Sequence, residues 1–99
     1  MTGVQTCALP ILEVVRRQEA AVELCKEVNV MFVLGGFHSA NTRELARLCV
    51  EAGVPTYHLE TWEQFKPEMV QGCQVAGVTA GASTPEFIIQ EFTEKLSAF

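Results

Sequence analysis

Val30-Met31-Phe32-Val33-Leu34, halted by Gly35-Gly36, is the stretch from which the fold is read. Five consecutive apolar residues are too few for a helix and lack the alternation of a half-solvated strand. They read as a strand buried on both faces. Such a strand needs cover above and below, and the flanking sequence supplies it. Upstream, Val14, Ala21, Leu24, Cys25 and Val28 recur at helical spacing with Arg16, Arg17, Glu23 and Lys26 between them, predicting an amphipathic helix over residues 13–28. Downstream, Asn41 is expected to cap a helix that runs to Ala52, with Leu45, Leu48, Cys49 and Ala52 inward and Gly53 as its stop.

Further out the pattern repeats. Residues 54–59 read as a second strand, Thr61 and Pro67 as openings of short helical turns, and residues 74–78 as a third strand after the Gly72 turn. Thr84-Pro85-Glu86 has the form of a helix start: Thr as cap, Pro at the first helical position, Glu in the first turn. Phe87, Ile88, Glu91, Phe92, Lys95 and Leu96 then give an amphipathic final helix. Alternation of this kind predicts an α/β fold, a small three-stranded parallel sheet flanked by helices, with right-handed crossovers. A sheet that small has open edges, which suits a lobe that rests on neighbouring lobes.

A chain of 99 residues makes one small domain. Its net charge of -5 argues against nucleic acid and against an anionic membrane as partner. No apolar run reaches the roughly 20 residues that span a bilayer, and the start has no basic stretch of the secretory kind, so a cytoplasmic location is expected. Cys7, Cys25, Cys49 and Cys73 contain no C-x-x-C pair. Cys25 and Cys49 fall on apolar helix faces, where a free thiol behaves as a small hydrophobe. Residues 1–11 back-translate into a string resembling a widely used sequencing adapter with GTG as start codon; they are expected to lie outside the natural fold, which leaves residues 12–99 as the lobe.

Two turns carry candidate chemistry: Gly35-Gly36-Phe37-His38-Ser39-Ala40-Asn41-Thr42, and Val78-Thr79-Ala80-Gly81-Ala82-Ser83-Thr84-Pro85. Each joins the carboxyl end of a strand to the amino end of a helix, the edge at which open α/β sheets bind ligands. Helix amino termini offer unpaired N–H groups and about half a positive charge, glycines admit close approach, and hydroxyls add donors. Two such turns point to an anion. Neither matches G-x-G-x-x-G or the P-loop, so a nucleotide fold is not indicated.

These same residues carry a family resemblance. Arg17-Gln18, the run from Val33 to Arg43, Pro55-Thr56-Tyr57-His58-Leu59-Glu60, and Gly77-Val78-Thr79-Ala80-Gly81-Ala82-Ser83-Thr84-Pro85-Glu86 resemble the carboxyl-terminal lobe of 4-hydroxy-3-methylbut-2-enyl diphosphate reductase, the iron–sulfur enzyme of the methylerythritol phosphate route to isoprenoids. The resemblance implies one lobe of a three-lobed enzyme built around a [4Fe-4S] cluster. In that enzyme the substrate hydroxyl is removed reductively to give isopentenyl and dimethylallyl diphosphate, with electrons from a donor such as ferredoxin or flavodoxin. It further implies that Ser39, Asn41 and Ser83 hold the diphosphate; Ala40 stands where the family often has a second Ser, leaving only its backbone N–H to serve. A cluster-ligating Cys of the family precedes the Arg-Gln pair by six residues, a position that falls on Ile11 here. The chain is therefore expected to be a fragment that supplies diphosphate binding, carries no cluster and is inactive alone. His38 is within its turn's reach of the diphosphate, at a position that varies in the family; His58 reads as a packed or surface residue, and no function is carried onto Trp62 or Phe65. The alternative is a freestanding anion-binding or structural α/β module without catalysis.

Overall fold

The structure is a computed structural model that describes residues 11–15, 18–82 and 84–97. In chain order its elements are β1 (Ile11–Val15), α1 (Gln18–Cys25), β2 (Val30–Leu34), α2 (Ala40–Glu51), β3 (Thr56–Leu59), two 3-10 turns (Trp62–Gln64 and Pro67–Val70), β4 (Ala76–Ala80) and α3 (Glu86–Ser97). The strands form one sheet in the order β1-β4-β2-β3, and every pair is parallel.

The three expected strands are all in that sheet, and β2 has the expected bounds. The sheet nevertheless has four strands rather than three. Ile11–Val15 pairs with β4 along the outer edge, and the helix expected from residue 13 begins at Gln18. The residues Ile11-Leu12-Glu13-Val14-Val15 are mostly β-branched or apolar, and a short run of that kind fits strand and helix patterns equally until an edge is there to receive it. Of the segment 1–11, residue 11 opens β1 and residues 1–10 lie outside the described residues.

β2 is buried at every position, as its unbroken apolar run requires. Alternate side chains feed two cores. Phe32, Leu34, Val78 and Ala80 meet Ile89, Phe92 and Leu96 of α3 on one face, with Trp62, Phe65 and Met69 of the 3-10 segment closing the side. Met31 and Val33 meet Ala21, Leu24 and Cys25 of α1 and Leu45 and Cys49 of α2 on the other. Phe32 is the centre of the first core: its ring lies 5.3 Å from that of Phe92 and 5.8 Å from those of Phe65 and Tyr57. Contacts of this kind add about 0.5–1.5 kcal/mol each beyond the area they bury.

The faces follow from the strand order. From β1 to β2 to β3 the chain moves one way across the sheet, so right-handed connections put α1 and α2 on one face. From β3 it returns to β4, and the later connections cover the opposite face.

Candidate anion-binding site

β2 and β4 are neighbours, yet the helices that follow them lie on opposite faces. In a parallel sheet that reversal is the place where ligands sit. Both candidate turns are there, and they are bonded to each other. The carbonyl of Leu34, the last residue of β2, accepts the Gly81 N–H at 3.1 Å and the Thr84 hydroxyl at 3.0 Å. The Asn41 side-chain oxygen Oδ1, on the first turn of α2, accepts the Ala82 N–H at 3.1 Å.

The first turn is closely built. Gly35 leaves β2 with φ +147°, a conformation that L side chains rarely adopt. A Cβ there would lie 2.6 Å from Thr42 Oγ1, and a Cβ on Gly81 would lie 2.1 Å from the same atom. Two glycines and one buried threonine thus bring the turns into direct contact. Ser39, in an extended conformation, is the cap of α2: its Oγ accepts the Thr42 N–H at 3.3 Å. Asn41 was the expected cap, but it is already inside the helix and reaches across to the other turn instead. Thr84 likewise was expected to cap α3, and its hydroxyl instead donates to the sheet through Leu34.

Of the four candidate residues, Ser39, Ala40 and Asn41 are consecutive at the start of α2, with Ala40 and Asn41 exposed and Ser39 half-buried. Ser83 lies outside the described residues; its neighbours Ala82 and Thr84 are bonded to Asn41 and Leu34. The described side chains at the start of α2 keep donors free. Ser39 Oγ and Asn41 Oδ1 commit acceptor capacity to protein N–H groups, which leaves a hydroxyl proton on Ser39 and two amide protons on Asn41 to donate. The first-turn amides of Ala40 and Asn41 have no intrahelical acceptor, as at any helix start. Donors thus remain at a helix amino terminus, where the helix dipole and free N–H groups favour negative charge.

Residues with roles that pattern reading missed stand behind the turns. Thr42 is fully buried, and its hydroxyl has no hydrogen-bond partner among the described residues. His58 Nε2 lies 3.0 Å from the Gly35 carbonyl, and Glu60 Oε2 accepts the Phe37 N–H at 3.2 Å. The available signal was their spacing: residues two apart in a strand share a face, and β3 borders β2.

The described cysteines, Cys25, Cys49 and Cys73, do not fit an iron–sulfur cluster, which is held by thiolates. Cys25 and Cys49 are buried together on the α1–α2 side of the sheet, where desolvation pushes both thiols up, Cys49 to about 12. Cys73 is on the opposite side of the sheet. Among the described residues no three His, Cys, Asp or Glu side chains come together as a metal site, and no helix is long and apolar enough to cross a membrane.

A small parallel α/β lobe with paired turns at its strand-order reversal is the class of protein that fold and site define. The chain belongs to the LytB protein family, whose sequence model matches residues 12–97. The 4-hydroxy-3-methylbut-2-enyl diphosphate reductase of Caldanaerobacter subterraneus subsp. tengcongensis is 47% identical over 83 residues, 84% of this chain and 29% of its own length. That of Trichlorobacter lovleyi is 50% identical over 80 residues, 81% of this chain and 29% of its own. Among solved structures, (E)-4-hydroxy-3-methyl-but-2-enyl diphosphate reductase, described as the terminal enzyme of the non-mevalonate pathway, aligns with a TM-score of 0.78 at 42% identity, over 81% of this chain and 28% of that one. The E-1-hydroxy-2-methyl-but-2-enyl-4-diphosphate reductase of Plasmodium falciparum aligns with a TM-score of 0.78 at 27% identity, over 82% of this chain and 26% of that one. These relatives are reductases, so the family is one of oxidoreductases, and the chain spans less than a third of the length of the curated relatives it matches.

Proposed function

We propose that this chain is the diphosphate-holding lobe of a 4-hydroxy-3-methylbut-2-enyl diphosphate reductase, with Ser39, the Ala40 N–H, Asn41 and Ser83 as its donors. The observation that carries the reading is the orientation of the site: Ser39 and Asn41 turn an acceptor toward protein N–H groups and keep donors free, at the start of a twelve-residue helix. Hydrogen bonds to a charged group contribute about 1.5–3 kcal/mol each, so several donors hold a diphosphate without a lysine.

In the whole protein the proposed reaction is reductive removal of the substrate hydroxyl as water, giving isopentenyl and dimethylallyl diphosphate with electrons from a ferredoxin or flavodoxin. The cluster chemistry of that reaction is not assigned to any described residue, because among the described residues Cys25 and Cys49 are paired in a core and Cys73 stands apart. We therefore expect the chain by itself to bind the diphosphate and reduce nothing.

The test is calorimetric titration of the 99-residue chain with inorganic pyrophosphate. Saturable binding is expected, lost on changing Ser39→Ala and Ser83→Ala together while the fold persists by circular dichroism. A native chain that ignores pyrophosphate overturns the reading and favours a purely structural module. Anaerobic reconstitution with iron and sulfide is the companion experiment: a stable stoichiometric cluster on the isolated chain contradicts the expected inactivity.

A further inference from the structure

We infer that His58 and Glu60, at the end of the edge strand β3, are positioning residues for the anion site; the inference rests on the anion-binding reading above. Three consecutive residues of β3 and its exit hold the turn that leads into α2. The His58 ring nitrogen Nε2 meets the Gly35 carbonyl at 3.0 Å, the Leu59 carbonyl accepts the Gly35 N–H at 3.0 Å, and the Glu60 carboxylate accepts the Phe37 N–H at 3.2 Å. A carbonyl can only accept, so Nε2 carries the proton and the His58 tautomer is fixed. The Phe37 ring stands edge-on to the His58 ring, centroids 4.8 Å apart.

The turn needs this support. Gly35 departs from β2 at φ +147°, which ends the strand ladder, and α2 starts only at Ala40. Between them the backbone makes a single bond of its own, Ser39 N–H to the Gly36 carbonyl at 3.1 Å. Ser39 lies two residues beyond Phe37, so releasing Gly35 and Phe37 moves the Ser39 hydroxyl and tilts the first amides of α2. Donors that must converge on one anion lose strength over displacements of about 1 Å. The two side chains differ in charge. Glu60 places a negative group beside a site for anions, so its contribution is the hydrogen bond and not its field.

Calorimetric titration with inorganic pyrophosphate on variants of the full 99-residue chain tests this, with amide NMR following residues 36–41. His58→Leu is expected to weaken binding about fivefold, the worth of one lost hydrogen bond. His58→Gln keeps an N–H at the same reach and is expected to restore binding to within about twofold, a rescue that a generic packing role does not give. Glu60→Ala is expected to weaken binding, and Glu60→Gln, which keeps the acceptor and removes the charge, to bind at least as tightly as the native chain. If His58→Leu fails to fold, the two Glu60 variants decide. Native-like binding by both His58→Leu and Glu60→Ala overturns the inference, as does a His58→Gln chain no better than His58→Leu. A native chain that binds no pyrophosphate overturns the anion reading itself, and the positioning role with it.

Discussion

Asn41 and Ala82 are 41 residues apart in sequence and 3.1 Å apart in space, the side-chain oxygen of the first accepting the backbone N–H of the second. Asn41→Ala removes a partly solvated bond and is expected to lower stability by about 1 kcal/mol. Asn41→Asp separates structure from binding. A carboxylate keeps the acceptor for Ala82 and adds favourable charge to the first turn of α2, so stability is held or raised by about 0.3–1 kcal/mol. The same charge repels an anion, and pyrophosphate affinity is expected to fall more than about tenfold. Melting and calorimetry on the two variants check both halves; tighter pyrophosphate binding by Asn41→Asp contradicts the account.

Thr42 sets how close the two turns come. A methyl group on Gly81 would sit 2.1 Å from its Oγ1. Gly81→Ala is therefore expected to destabilise the chain by about 1–3 kcal/mol through overpacking. Thr42→Ala removes the obstructing atom, so the double variant is expected to recover most of that loss. Denaturant midpoints of the two single variants and the double give the coupling, and strictly additive losses would show that the contact does not constrain the turns.

Thr79 is the next-to-last residue of β4, fully buried, with a hydroxyl that has no hydrogen-bond partner among the described residues. Thr79→Val keeps the branched shape that suits a strand and removes an unpaired polar atom from the interior. Stability is expected to rise by about 1 kcal/mol, read as an upward shift in melting temperature.

Much of this arrangement was legible in the residues. Val30–Leu34 admitted one reading because five apolar residues ending in two glycines fit a doubly covered strand and little else. The two glycine-rich turns that the composition singled out do lie together, bonded at the carboxyl ends of β2 and β4. What pattern reading missed depends on partners distant in sequence. The third expected strand was placed at residues 74–78, but β4 spans Ala76–Ala80, because the amides of Gln74 and Val75 donate to the Asn29 side chain instead of to a neighbouring strand. Asn41 and Thr84 fit local capping patterns and were diverted to tertiary bonds with Ala82 and Leu34. Composition alone gave His58 no task, since its partner is a carbonyl 23 residues away. Local rules predict a residue's options; the strand order selects among them.

Cys49 gives the fold a dependence on alkaline pH. Its thiol, fully buried on α2, is pushed from 9.0 up to about 12, first by desolvation and then by the hydrogen bond and charge interaction with Cys25. The Cys25 thiol is also raised by burial. The sign follows from which state ionises first. Below pH 9.0 the folded and unfolded chains both keep the Cys49 proton, and the full stability is present. Between 9.0 and about 12 the unfolded chain releases the proton and the folded chain holds it, so stability falls with rising pH. For one such group the slope approaches about 1.4 kcal/mol per pH unit. Denaturant unfolding from pH 7 to pH 10.5 is expected to show the decline, and Cys49→Ala to make it shallower, leaving the smaller contribution of Cys25. That variant is less stable at neutral pH because it leaves a cavity, but a constant loss does not alter a slope. A decline equally steep in Cys49→Ala would place the ionising group elsewhere and remove Cys49 from the account.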